Sequence, residues 1–328
     1  MTPKTASPAR RRLGNTDLEI APLVFGGNAF GWTIDETTAF TLLDRLADAG
    51  IHAIDTADVY SNWVPGLSGG ESETTIGKWF RSRPHRRADT VLITKVGLEM
   101  APGKRGLSAK YIVEAVEASL TRLQTDVIDL YFSHVPDKHT PVEETLRAYD
   151  TLIRQGKVRA IGASNHSAEQ LQEALQVSVD DNLPRYEVLQ PLYNLYDRAG
   201  FEGPVRDLAI AESLGVIVFY GLASGFLSGK YRSKADLGQS KRGADVEKYL
   251  NPRGLRILDA LDMVAAAHNA KPAEVALAWL IARDGVTAPI ASATSVAQVD
   301  SLIRATQLTL SPADMETLNT ASALEPVA

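Results

Sequence analysis

The chain has 328 residues, 45% of them hydrophobic and 23% charged, the proportions of a soluble globular protein. It contains no cysteine, which excludes disulfides, thiolate metal sites and a cysteine nucleophile, and fits a reducing compartment. A net charge of −6 argues against nucleic acid as the main partner, and no segment approaches the ~20 apolar residues that span a bilayer, so a soluble, cytoplasmic protein is expected.

"MTPKTASP" lacks the apolar core of a secretory signal, and with the start of the basic cluster "ARRRLG" (9–14) it predicts a disordered, solvated arm over residues 1–10. Residues 11–328 are expected to form one domain. "RRLGNTDLEI" (11–20) places the turn "GNTD" between short apolar ends, which predicts a hairpin. The first apolar run, "PLVFGG" (22–27), precedes "DETTAFTLLDRLADAG" (35–50), a helix with an acidic first turn and Gly50 as its stop. "HAIDTA" (52–57) leads into a Gly-rich loop, "SNWVPGLSGG" (61–70), and "VLITKVG" (91–97) follows. The next helix opens on Ser108 as N-cap and carries Ile112, Val116, Leu120 and Leu123 along one stripe. "VIDLYFSH" (127–134) precedes a helix that starts with Pro141 in its first turn and ends at Gly156. Then come "VRAIGASN" (158–165), the helix "SAEQLQEAL" (167–175), "EVLQPLYN" (187–194), the helix "VRDLAIAESLG" (205–215) and "GVIVFYGLA" (215–223). A long loop rich in Gly, Ser and charge (223–251) leads to the helix 253–269, the run "APIASAT" (288–294) and the helix 295–306.

Most of the short runs are apolar throughout, as strands buried on both faces of a parallel sheet are. Eight strand–helix units without a composition break predict an α/β fold, a closed (β/α)8 TIM barrel. Its N-terminal hairpin would plug the bottom, and long loops would stand on the C-terminal face. An open doubly wound sheet is the alternative, disfavoured because no Gly-rich dinucleotide fingerprint follows any strand.

Barrel enzymes carry their chemistry at the C-terminal strand ends. There the sequence places Asp55 and Tyr60, Lys95, His134, Ser164 with Asn165, and Gln190. A tyrosine titrates near ~10, and a neighbouring ammonium lowers that value. A carboxylate would hold the lysine, and a histidine opposite would donate to the same substrate oxygen. Two donors on one oxygen serve a carbonyl that becomes an alkoxide.

Through "DTADVY" (55–60), "ITKVG" (93–97), "DLYFSH" (129–134), "GASN" (162–165), "LQPLYN" (189–194), "ASGFLSGKY" (223–231) and "ASATS" (291–295), the chain resembles the aldo-keto reductase superfamily along nearly its whole length. The resemblance implies hydride transfer between a nicotinamide cofactor and a small-molecule carbonyl or alcohol, without metal. It makes Tyr60 the general acid for reduction and base for oxidation, Lys95 the ammonium that tunes it, Asp55 the partner of Lys95, and His134 the group that orients the carbonyl. Asp58 has no role in that pattern and reads as structural. For the cofactor it implies Ser164, Asn165 and Gln190 at the carboxamide and Phe219, where the family usually has Tyr, beneath the nicotinamide ring. Leu222, Gly225, Leu227 and Gly229 fall in the loop over the pyrophosphate. Where many members grip a 2′-phosphate with Lys and Arg, this chain has Ser292 and Gln298, with Ser295 between them and Arg304 further along. NADP(H) is the first expectation, NAD(H) or dual use its rival.

Phe30, Trp32 and Trp63 stand in loops where they would line a substrate pocket or serve packing. Specificity is expected from loops 28–34, 61–70 and 223–251 and from the tail after "SPADMETLN" (311–319). "HVPDKH" (134–139) holds His134, Asp137 and His139, but Lys95 would repel a cation and no metal is expected. "GLSGG" lacks the Lys-Ser/Thr pair of a phosphate cradle. The alternative from another class is a cofactor-binding regulatory module, because potassium-channel β-subunits are similar in fold and keep the same four residues.

Overall fold

The computed structural model describes residues 8–241 and 243–324. A short antiparallel pair, β1 (Arg11–Arg12) and β2 (Glu19–Ile20), precedes the main sheet. That sheet comprises β3 (Val24–Gly26), β4 (Ala53–Asp55), β5 (Val91–Val96), β6 (Ile128–Ser133), β7 (Val158–Ser164), β8 (Tyr186–Gln190), β9 (Gly215–Val218) and β10 (Ala288–Ala291). Its strands are parallel, pair in chain order and close through β10 on β3, so the barrel has no free edge.

Alternate residues of these strands point inward. Val24, Ala53, Ile93, Leu130, Phe132, Ala160, Val188, Ile217, Ala288 and Ile290 fill the interior, and Leu13, Leu18 and Ile20 of the hairpin join them from below. The predicted plug is present. Its turn demands glycine: Gly14 sits at φ +59°, and a Cβ there would fall 2.3 Å from the Glu187 carbonyl oxygen. One expectation is corrected here. The basic cluster is not simply solvated, because Arg11 Nη1 donates to the carbonyls of Ile281, Val286 and Thr287 at 3.0, 3.3 and 3.1 Å. Residues 8–10 carry no regular element, and residues 1–7 of the expected arm lie outside the described residues.

Outside the sheet lie α1 (Glu36–Asp48), α2 (Glu71–Ser82), α3 (Pro84–Asp89), α4 (Ala109–Leu123), α5 (Val142–Arg154), α6 (Ala168–Asp180), α7 (Pro204–Ala211), α8 (Gly243–Val246), α9 (Pro252–Ala267), α10 (Pro272–Ile281), α11 (Val296–Ala305) and α12 (Pro312–Ser322). Asp35 and Ser108 cap α1 and α4 by accepting from the backbone N–H groups of Thr38 and Tyr111. The Ile112–Val116–Leu120–Leu123 stripe is buried. Pro141 takes the N-cap of α5, one position before the first turn. Helices α2, α3, α8, α10 and α12 escape the periodicity reading for local reasons. α2 starts after Gly70 with no side-chain cap, and α10 is apolar on nearly every face, so it shows no stripe.

The long loop after β9 is more ordered than its composition suggests. 3₁₀ turns at Ala223–Ser228, Lys234–Gln239 and Glu247–Tyr249 flank α8, and Phe226, Tyr231, Val246 and Tyr249 are buried. Phe226 stacks on Tyr249 at 5.3 Å, and the Tyr249 hydroxyl donates to Asp197 at 2.9 Å. The loop is therefore a strap with its own small core.

Candidate active site

Strands β4 and β5 pair with Asp55 beside Ile93. Lys95, two residues on and facing the same way, therefore rises into the barrel mouth above Asp55. Its ammonium donates to Asp55 Oδ2 at 2.6 Å, to the Thr56 carbonyl at 2.7 Å and to the Tyr60 phenol oxygen at 3.4 Å. The Lys95 side chain is 0% exposed and that of Asp55 3%, so each charge depends on the other. Gln190 Nε2 donates to the second Asp55 oxygen at 2.9 Å, which leaves the carboxylate with no freedom to turn. The His134 ring stands edge-on to Tyr60 at 6.2 Å, and its Nδ1 is buried without a partner among the described residues.

Burial sets the protonation states. It lowers the His134 pKa to about 3, with the Lys95 charge acting in the same direction, so His134 is a neutral imidazole. Burial opposes the Lys95 ammonium, but Asp55 and then Tyr60 outweigh it, and its pKa is raised. For Tyr60 the expected lowering does not survive. Burial raises the phenol above its ordinary value and Lys95 offsets only part of that, so Tyr60 is a phenol, a proton donor, at neutral pH. A neighbouring ammonium is legible in a sequence, whereas the extent of burial is not.

A second set lies across the mouth. Ser164 Oγ donates to the Gln190 carbonyl at 2.8 Å, and Asn165 Nδ2 donates to the His134 carbonyl at 3.0 Å and to Ser164 Oγ at 3.1 Å. These bonds leave the amide oxygens of Asn165 and Gln190 as acceptors for an amide NH₂. Phe219, just past β9, is half-buried and packs against the interior of the barrel. At the start of the strap, Ala223, Ser224 and Gly225 take φ of +48°, +57° and +96°, and Gly229 +80°. The N–H groups of Ala223, Gly225 and Gly229 already donate to the carbonyls of Tyr220, Leu222 and Phe226, so this turn offers a close backbone approach and leaves the positive charge to Lys230. Lys230 Nζ lies 4.0 Å from where a Gly225 Cβ would stand, and no carboxylate among the described residues pairs with it. An amide-accepting pair, an aromatic ring and a lysine-bearing turn in sequence along one rim fit a nicotinamide dinucleotide. Leu222 is half-buried there, whereas Leu227 turns its side chain wholly into the core and has only backbone to offer.

The loop after β10, where the resemblance puts the 2′-phosphate contacts, carries neutral side chains at Ser292, Ser295 and Gln298. Ser292 Oγ donates to Asn28 Oδ1 at 2.7 Å, Ser295 caps α11, and Gln298 Oε1 accepts from the Thr294 N–H at 2.7 Å. Arg304 is held at 2.6 Å by Glu274, which also takes the Ser301 hydroxyl.

Trp32 and Trp63 stand side by side next to Tyr60. Trp63 is 48% exposed, meets the Tyr60 ring at 5.6 Å and meets Trp32 edge-to-face at 6.1 Å. Phe30 does not join them: it is 0% exposed and packs on Phe25 at 5.8 Å, so the packing reading holds for it. Asp137 is used by its own loop, accepting from the Leu107 and His139 N–H groups and the Thr140 hydroxyl. Among the described residues no group of three or more His, Asp or Glu is placed to hold a metal. Two residues went unmarked in the sequence reading. Lys230 lay within the quoted "ASGFLSGKY", where a lysine after a Gly-rich loop was the signal. Tyr220 is 48% exposed beside Phe219 and near enough to Tyr60 to act on its charge, and nothing local marks it.

The model of the Aldo/keto reductase family matches residues 22–323. An uncharacterized oxidoreductase of Bacillus subtilis (strain 168), YrpG, is 36% identical over 314 residues, 94% of each chain. A probable voltage-gated potassium channel subunit beta of Oryza sativa subsp. japonica is 35% identical over 298 residues, 88% of each chain. Aldo-keto reductase AMT2 of Alternaria alternata is 30% identical over 339 residues, covering 94% of this chain and 90% of that one.

Proposed function

This chain belongs to the aldo/keto reductase family and is an oxidoreductase, and from that premise we propose that it interconverts carbonyls and alcohols with NAD(P)(H), Tyr60 acting as the general acid and base. The observation that carries this reading is the buried contact of Lys95 with both Asp55, at 2.6 Å, and the Tyr60 phenol, at 3.4 Å. When bound, the nicotinamide supplies a hydride to the carbonyl carbon. Tyr60 gives its proton to the carbonyl oxygen in reduction and takes one from the alcohol in oxidation. Lys95 stabilises the phenolate left behind, and Asp55, pinned by Gln190, keeps the ammonium in place. Neutral His134 donates to the same oxygen and so orients the carbonyl. Asn165 and Gln190 would accept from the carboxamide, Phe219 would stack beneath the ring, and the turn at Ser224 and Gly225 with Lys230 would hold the pyrophosphate. NADP(H) is the expected cofactor and NAD(H) its rival, since the β10 loop offers a 2′-phosphate only uncharged partners.

Tyr60→Phe is expected to bind NADPH and NADH as the wild type does, followed by quenching of tryptophan emission, while kcat for carbonyl reduction falls by about two to three decades. Wild-type turnover in that variant overturns the assignment. The similarity to a channel subunit beta supports a second reading, a cofactor-sensing subunit. Tight cofactor binding with negligible turnover and a stable complex with a channel would favour it.

A further inference from the structure

A line of contacts runs from the Tyr60 phenol to the outer rim of the cleft. Tyr60 meets Trp63 at 5.6 Å and Trp63 meets Trp32 at 6.1 Å. At the end of the line Lys241 Nζ stands 5.8 Å from the Trp32 ring and donates to the Trp32 carbonyl at 3.2 Å. Trp32 belongs to the loop after β3 and Lys241 to the strap after β9, so the ammonium is carried across the mouth to this pair of indoles. Two of the strap's other cations are spent on carboxylates, while Lys230 and Lys248 lie over the rings of Tyr231 and Tyr249, away from Trp32. Arg232 pairs with Asp262 at 2.7 Å and Lys234 with Glu247 at 2.7 Å, whereas Lys241 meets only a carbonyl dipole and an indole face and no carboxylate among the described residues. Those contacts position the charge without neutralising it.

We propose that Lys241 recognises an anionic substrate: an aldehyde or ketone whose carbonyl lies at Tyr60 and His134, whose body lies along Trp63 and Trp32, and whose far end carries a carboxylate or a phosphate. This deepens the oxidoreductase reading and rests on it. The indole wall takes a planar or apolar body, and the ammonium at its end selects among such bodies by charge.

The test compares 4′-formylbiphenyl-4-carboxylate, whose two rings match the two indoles of the wall, with its neutral methyl ester, and adds 4′-formylbiphenyl-4-yl phosphate as the phosphate arm. In the wild type the ratio of kcat/KM for an anionic over the neutral compound is expected to be about tenfold, the worth of one charge-assisted contact, and to lie in KM. Lys241→Ala is expected to bring the ratio close to one, Lys241→Arg to restore it and Lys241→Glu to invert it. Whichever anion shows the larger ratio identifies the far group as carboxylate or phosphate. An unchanged ratio in Lys241→Ala overturns the proposal, even if both rates fall together, because a uniform loss means the lysine closes the strap or serves the cofactor. Equilibrium binding of the same compounds, read from tryptophan emission, gives the ratio without turnover. Preferential anion binding that depends on Lys241 with no reduction of any carbonyl would sink the oxidoreductase reading and leave the recognition standing.

Discussion

Two buried charged clusters stand on opposite sides of the same strands. The inner one, in the barrel mouth, joins Asp55, Lys95 and Tyr60; the outer one, between the sheet and helices α2 and α4, joins Asp58, Glu73, Thr94 and Arg122. Glu73 accepts from Arg122 Nε at 2.7 Å and from the Thr94 hydroxyl at 2.5 Å, and its side chain is as fully buried as that of Lys95, both 0% exposed. Burial of charge therefore does not single out chemistry. The difference is balance and access. Inside, one carboxylate meets one ammonium, and the remaining proton sits on a phenol that faces a cleft. Outside, two carboxyls lie near one guanidinium, which bonds only Glu73 of the two, and the backbone of Gly69 and Gly70 packs over the cluster.

The contrast breaks most sharply at its two cations. Lys95→Met strips the inner cluster of its ammonium and strands Asp55. Turnover is expected to fall about a thousandfold, within the range of a lost acid–base group. Stability is expected to drop by about 3–5 kcal/mol, because the uncompensated carboxylate stays buried. Urea unfolding and single-turnover reduction separate the two effects. A variant with full stability would show that Asp55 finds another partner, and the inner cluster would then not depend on its pair.

Arg122→Met asks the same of the outer cluster. The Arg122 side chain is 24% exposed and Glu73 keeps the Thr94 hydroxyl, so the expected loss is smaller, about 2–3 kcal/mol. The folded fraction is expected to retain kcat within about threefold, since no member of this cluster faces the substrate oxygen. A hundredfold fall in kcat with stability intact would erase the distinction between the clusters.

How far the sequence reaches follows the same division. The barrel was legible because its strands are short, apolar on both faces, and separated by helices whose caps, Asp35 and Ser108, are local signals. α10 was not, because "PAEVALAWLI" has no polar face to set its period. Asp55 and Lys95 were legible as polar residues in strands that otherwise bury apolar ones, and Tyr60 and His134 as polar residues just past such strands. The sign of the Tyr60 shift was not, since it depends on how completely the mouth encloses the phenol. Lys241 was invisible for a different reason. A lysine in a charged loop reads as solvated, and its contact with Trp32 spans 209 residues. Phe30 and Trp32 were indistinguishable by composition, and only packing separated the core residue from the half-buried one.

The smallest effect tests the imbalance of the outer cluster. Among the described residues neither Asp58 oxygen has a hydrogen-bond partner, and burial, reinforced by the Glu73 charge, holds its pKa well above the ordinary 3.8. Arg122 on α4, the nearby Val59 backbone N–H (too poorly placed for a full hydrogen bond) and Lys95 on β5 act in the opposite sense without prevailing, and the buried phenols of Tyr111 on α4 and Tyr131 on β6 add no charge at neutral pH. Folding thus favours the protonated form of Asp58. Below the unfolded value both states carry the proton, and the contribution of Asp58 to stability is fully present. As pH rises toward the folded value, the unfolded chain releases its proton while the folded chain keeps it, so wild-type stability declines, by at most about 1.4 kcal/mol per pH unit from this one group. An asparagine in its place would keep the size of the neutral acid and never titrate. Asp58→Asn is therefore expected to gain on the wild type steadily as urea unfolding is repeated from pH 5 to pH 8, with kcat little changed. Parallel stability curves would mean that Asp58 is ionised in the folded protein, and the outer cluster would then be balanced by a charge that Arg122 alone does not supply.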